Sequence, residues 1–143
     1  NRRASEIMLE IGVSTATDIT GFGLIGHLHE VLSASKCQAR LYSSRVPFFD
    51  EAVRIAGKNV VPGGTISNTK SYSQYVEWSK EVSDIENILM NDAQTSGGLL
   101  IFVPGNKKER LITALQKEEI LAAYIGDISE KSGTVNKEIF VEK

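Results

Sequence analysis

The run Asn91-Asp92-Ala93-Gln94-Thr95-Ser96-Gly97-Gly98-Leu99-Leu100-Ile101-Phe102-Val103-Pro104-Gly105 decides the fold. A polar, glycine-terminated segment gives way to an unbroken apolar run from Leu99 to Val103, which Pro104-Gly105 stops. A short apolar run bounded by turn residues reads as a buried strand rather than a helix. Downstream, Lys107 to Gln116 places Leu111, Ile112 and Leu115 at helical spacing. Upstream, Asp84 to Met90 does the same with Ile85, Ile88 and Leu89.

Further out, Ser5 to Ile11 predicts a helix through Ile7, Met8 and Ile11, with Gly12 as its stop. Leu24, Leu28, Val31 and Leu32 mark the apolar face of a second helix from about Phe22 to Leu32, with Thr20 a candidate N-cap. Cys37 to Tyr42 alternates as a half-buried strand, with Cys37, Ala39 and Leu41 on one side. Phe48 to Ala56 reads as a helix with Phe49, Ala52, Val53 and Ala56 inward. Lys58 to about Tyr72 reads as a long loop, and a loop of that length in a compact domain is more often functional than idle. Tyr72 to Trp78 fits a short helix or a strand. Ala122 to Ile128 and Val135 to Val141 predict a closing hairpin around Ser132-Gly133. Elements that alternate without strict βαβ order favour an α+β layered domain, with a mixed or antiparallel sheet and helices on its faces.

The 143 residues suffice for one domain with a sizeable core, 1–143. Hydrophobic residues at 41% and charged residues at 24% are ordinary globular values and argue against disorder. A net charge of −2 carries no basic excess, so nucleic acid is not an expected partner. Asn106-Lys107-Lys108-Glu109-Arg110 reads as a solvated helix face. No apolar run approaches the ~20 residues of a membrane span, so no membrane association is expected. The single cysteine, Cys37, forms no intrachain disulfide and suits a reducing cytoplasm. It reads as a buried small hydrophobe rather than a nucleophile. The chain opens Asn1-Arg2-Arg3 without an initiator methionine, and the expectation is a piece of a longer protein.

Thr17-Asp18-Ile19-Thr20-Gly21-Phe22-Gly23-Leu24-Ile25-Gly26-His27 holds Gly21, Gly23 and Gly26 in a G-x-G-x-x-G pattern. A dinucleotide fold needs an apolar strand before the glycines and an acid about 20 residues after them, and the sequence offers neither. Glycines at a helix start do let backbone amides approach phosphate, and the helix end favours an anion. Asp18 beside such a site repels a bare phosphate but serves as a ligand if Mg²⁺ lies between them. The alternative is that Asp18 caps the helix and the glycines permit close packing. Asn91 to Gly98 offers a polar pocket at a sheet edge, or an ordinary helix-to-strand loop. Val61 to Asn68 offers a lid or a surface loop. His27 and His29 diverge by roughly 200° on a helix and cannot share a metal, and His27 reads as a hydrogen-bonded structural residue.

Three of these segments resemble one family. Ala16 to His27 is similar to the signature of selenophosphate synthetase (selenide, water dikinase). Asp92-Ala93-Gln94-Thr95-Ser96-Gly97-Gly98-Leu99-Leu100 resembles a second hallmark, and Pro62-Gly63-Gly64-Thr65 followed by Asn68 a third. The resemblance covers essentially the whole chain, as the family's C-terminal domain. The wider superfamily includes aminoimidazole ribonucleotide synthetase, the glutamine-dependent purine amidotransferase, thiamine-monophosphate kinase and a hydrogenase maturation factor. The Thr-Gly-Phe-Gly-x-x-Gly-His string favours the selenium enzyme among them. Ala93 stands where the family usually has proline, and Ser67 where arginine is common.

The resemblance implies an α/β/α layered domain with a mixed, mainly antiparallel sheet and partial ferredoxin-like topology. It implies an ATP-dependent phosphotransferase that makes selenophosphate, AMP and orthophosphate from ATP, selenide and water for selenocysteine and selenium-modified tRNA synthesis. Mg²⁺ is the implied cofactor, with Asp18 its ligand here. Thr17, Thr20, Gly21, Gly23, Gln94, Thr95, Ser96 and Gly97 are the implied nucleotide-side residues. The catalytic cysteine or selenocysteine, the lysine and most ATP contacts are implied to lie in an N-terminal domain outside this sequence. That domain is the implied partner, within a cytoplasmic homodimer, and this piece alone is expected not to catalyse.

Overall fold

The computed structural model describes residues 1–13, 15–131 and 137–143. In chain order the elements are α1 (Arg2–Glu10), β1 (Thr15–Asp18), α2 (Gly23–Ser35), β2 (Cys37–Tyr42), α3 (Asp50–Ala56), α4 (Gly63–Tyr72), β3 (Val76–Trp78), α5 (Asp84–Met90), β4 (Leu99–Phe102), α6 (Lys108–Lys117), β5 (Gly126–Glu130) and β6 (Ile139–Glu142). The α+β class expected from the sequence is what forms.

The strand at Leu99 pairs antiparallel with β1, setting Thr17 opposite Leu100 and Asp18 opposite Leu99. Alternation along β4 then serves two cores. Leu99 and Ile101 pack with Ala4, Ile7 and Met8 of α1, with Ile11 just beyond it, and with Leu111 and Leu115 of α6. Leu100 and Phe102 turn to the main core, built on Ile25, Leu28 and Leu32 of α2. Only Leu100 of β4 is fully buried, because a two-stranded sheet covers less than the sequence reading assumed. The polar lead-in Thr15 to Asp18 forms a strand because β4 supplies its partner, not because of its own pattern.

A four-stranded sheet runs β3-β6-β2-β5. The strand β6 lies parallel to both neighbours, and β5 lies antiparallel to β2. The expected hairpin does not form, since β5 and β6 flank β2 rather than pair with each other. The turn proposed at Ser132-Gly133 lies outside the described residues. From this central position Ile139, at 0% exposure, and Val141, at 1%, both enter the main core. The ladders among the described residues therefore divide evenly between parallel and antiparallel, not mainly antiparallel.

The expected long loop contains α4. Its inward residues are Thr65 and Asn68, so no apolar stripe announced it. Tyr72 to Trp78 resolves into a short 3-10 turn and then β3. The helix from Phe48 begins two residues later, at Asp50, and Phe49 at 86% exposure and Val53 at 38% face outward. Of that predicted inward set, Ala56 alone is fully buried, where α3 meets α5. Cys37 is half-buried against the main core. A capping box starts α5, with the Glu86 amide donating to Ser83 Oγ (3.3 Å) and the Ser83 amide donating to Glu86 (2.9 Å).

Candidate functional site

Backbone hydrogen bonds zip the first two motifs together. The β1–β4 ladder continues past Asp18, with the Ile19 amide donating to Gly98 O (2.9 Å) and the Gly97 amide to Ile19 O (2.9 Å). The amides of Gln94 and Gly23 both donate to Thr20 O, at 3.0 Å each. Gly97 has no room for a side chain, because a Cβ there would run into Ile19 O and the Gln94 side chain. Gly23 has φ +70, and a Cβ on it would lie 2.7 Å from the Asn91 carbonyl carbon. These glycines serve close approach of main chain to main chain.

The third motif locks the other two. Thr65 Oγ1 donates to Asp92 Oδ1 (2.6 Å) and accepts from the Ala93 amide (3.1 Å). Asn68 Nδ2 donates to Gly21 O (2.9 Å) and to Asn91 O (3.0 Å). The segment that offers a lid or a surface loop in sequence is thus a helix that clamps the turn.

At this junction the Asp18 side chain is exposed and forms no hydrogen bond or ion pair among the described residues. Thr17 is half-buried, with its hydroxyl directed to Asp18 O (3.3 Å). The exposed Gly21 and Phe22 amides, at the start of α2, donate to no described residue. The Gly23 and Gly97 amides are already engaged within the protein. Thr95 and Ser96 are exposed at the tip of the second segment. Gln94 to Gly98 also rims a largely apolar cleft of about 1470 Å³, lined by Leu24, Leu28 and Leu100, and Asp18 stands outside it.

His27 is held as expected, between Thr20 Oγ1 and a Glu30 carboxylate oxygen, each at 3.1 Å. Tyr72 packs nearby, and burial, reinforced by Glu30, pushes its phenol up. His29 stacks on Tyr75 at 3.9 Å and pairs with the buried Glu138, which Lys131 also meets at 3.2 Å. Sequence spacing gave no sign of that pair, because its members lie 109 residues apart.

No group of three or more His, Cys, Asp or Glu side chains that could hold a metal occurs among the described residues. Asp18 is a hard oxygen donor with no competing partner among the described residues, so it fits Mg²⁺ as one ligand, with the rest drawn from phosphate, water or another polypeptide segment.

The profile of the family described as "AIR synthase related protein, C-terminal domain" matches residues 2–137, and the chain belongs to that family. Within it, the chain is similar to proteins named selenide, water dikinase. That of Carboxydothermus hydrogenoformans is 42% identical over 135 residues, covering 94% of this chain and 39% of the relative. That of Pelobacter propionicus is 39% identical over 132 residues, covering 92% and 38%. That of Caldanaerobacter subterraneus is 40% identical over 132 residues, with the same coverage of 92% and 38%. The chain thus spans about two fifths of the length of these curated relatives.

Proposed function

We propose that the chain is the C-terminal part of a selenide, water dikinase, which uses ATP, selenide and water to form selenophosphate, AMP and orthophosphate. The observation that carries the reading is the joining of all three motifs around the glycine turn that follows Asp18, whose carboxylate has no partner among the described residues. The names of the relatives supply the substrate class.

Phosphoryl transfer depends chiefly on positioning and charge neutralisation. Asp18, at the end of β1, would grip Mg²⁺ on the side of this domain. When bound, the cation neutralises charge on the phosphates. The Gly21 and Phe22 amides would donate to phosphate oxygens at the start of α2. The β1–β4 ladder and the Asn68 clamp keep that turn fixed. The remaining ligands and the nucleophile come from the rest of the protein, in an N-terminal domain, within a cytoplasmic homodimer.

The test is Asp18→Asn in the full-length protein, assayed for Mg²⁺-dependent ATP turnover with selenide. The expected result is a loss of at least a hundredfold with an unchanged fold by circular dichroism. Near-normal turnover overturns the ligand role. Turnover only with a purine or thiamine precursor overturns the selenium assignment.

A further inference from the structure

Thr20, His27 and Glu30 form a chain of hydrogen bonds that the reading above leaves unused. The imidazole side chain is only 12% exposed and sits with its ring centroid 5.4 Å from that of Phe22. A carboxylate has no proton to give, so His27 Nδ1 carries the hydrogen that faces Glu30. In the neutral ring Nε2 is then an acceptor, and the Thr20 hydroxyl donates to it. A threonine hydroxyl has one proton. Once that proton points at His27, Oγ1 offers only lone pairs to anything approaching from outside. Lone pairs suit a cation and oppose a phosphate oxygen.

Thr20 also lies on the side of Asp18. Asp18 is exposed, Ile19 buried and Thr20 half-exposed, and the ladder runs on through Ile19 to Gly98 and Gly97. In such extended backbone, residues two apart share a face.

We propose that His27, fixed by Glu30, is a positioning residue that presents Thr20 Oγ1 as a second oxygen donor to the divalent cation gripped by Asp18. This rests on the reading of Asp18 as a Mg²⁺ ligand and goes a step past it. A purely structural histidine would adopt the same tautomer beside Glu30 but would leave cation retention untouched.

The first arm is ¹⁵N NMR of histidine-labelled full-length protein at pH 8.5, where the tautomer of the neutral ring is read. The expected spectrum shows His27 protonated at Nδ1 and bare at Nε2. A neutral ring carrying its proton at Nε2 overturns the proposal. The second arm measures retention of Mn²⁺ by electron paramagnetic resonance, in the presence of a non-hydrolysable ATP analogue. Thr20→Val and His27→Ala should weaken Mn²⁺ retention five- to tenfold, while Thr20→Ser stays within twofold. The affinity for the analogue at saturating Mn²⁺ should change less than twofold. Glu30→Ala, at an exposed position, should weaken retention about threefold and provides a variant that does not disturb the turn. If Asp18→Asn weakens Mn²⁺ retention and the Thr20, His27 and Glu30 variants do not, this proposal fails alone. If none of them does, the reading of Asp18 fails with it.

Discussion

Asn68 joins two segments that lie far apart in sequence: its side-chain amide donates to Gly21 O at 2.9 Å and to Asn91 O at 3.0 Å. Both bonds come from one nitrogen of a buried residue, so a single truncation frees the glycine turn from the segment behind it. Asn68→Ala should destabilise the domain by about 2–4 kcal/mol, the cost of two lost bonds and of carbonyls left without a donor. A shift of the urea midpoint at unchanged slope measures this. A midpoint equal to the parent's would show that the clamp carries no weight.

Two glycines of one motif should behave in opposite ways. At Gly23, φ is +70 and an added Cβ meets Asn91 and Asp92 main chain, whereas at Gly21 nothing lies within 4 Å. Gly23→Ala should cost roughly 2 kcal/mol or more, combining a left-handed backbone with a clash. Gly21→Ala should stay within about 0.5 kcal/mol. Thermal melts of the two variants side by side decide it.

Asp18→Asn should leave stability within about 0.5 kcal/mol of the parent, because the carboxylate has no partner among the described residues to lose. A lowered melting temperature would reveal an attachment that this arrangement lacks. Combined with the turnover assay, the result separates a ligand from a structural cap.

Glu86 ties acid sensitivity to α5. Burial pushes its carboxyl up, but hydrogen bonds from Lys143 and from the Ser83 amide and hydroxyl outweigh that and bring it down to about 2. The folded value lies below the usual unfolded one of about 4.3, so the contribution is full above about pH 5 and is lost as pH falls toward 2. Glu86→Gln should cost roughly 1–2 kcal/mol at pH 7, and the difference from the parent should vanish near pH 2. Urea titrations at pH 7, 4 and 2.5 test the sign. A gap that widens in acid would contradict it.

The elements that were legible are those whose burial is apolar. The stripes of α2 and α6 and the alternation of β2 declared themselves, because oil-like side chains recur at the period of the backbone. The element that escaped, α4, turns Thr65 and Asn68 inward and is held by hydrogen bonds to Asp92, Ala93, Gly21 and Asn91. Polar inward faces have no hydropathy signature, so no window on this chain could reveal them. Strand order escaped for another reason. Leu99 to Phe102 and Ile139 to Val141 read alike as apolar runs, yet one joins a two-stranded sheet and the other the middle of four.

At the site, the glycine turn and Asp18 were visible from residue type and spacing. The Asn68 clamp and the Glu30 end of the histidine chain were not, since both depend on which helix faces which. Gly23 and Gly97 were read as nucleotide-side residues, and their main-chain amides prove to be engaged inside the protein.

Of the four strands in the larger sheet, the one placed between β3 and β2 is β6, the latest in the chain. The two strands on either side of it share no ladder of their own, so until Ile139 to Glu142 leave the ribosome the halves of that sheet have nothing to close upon. A polypeptide in which Ile139 to Glu142 have not yet docked presents two open sheet edges to chaperones and to other chains, which makes the insertion of β6 the event that seals this sheet.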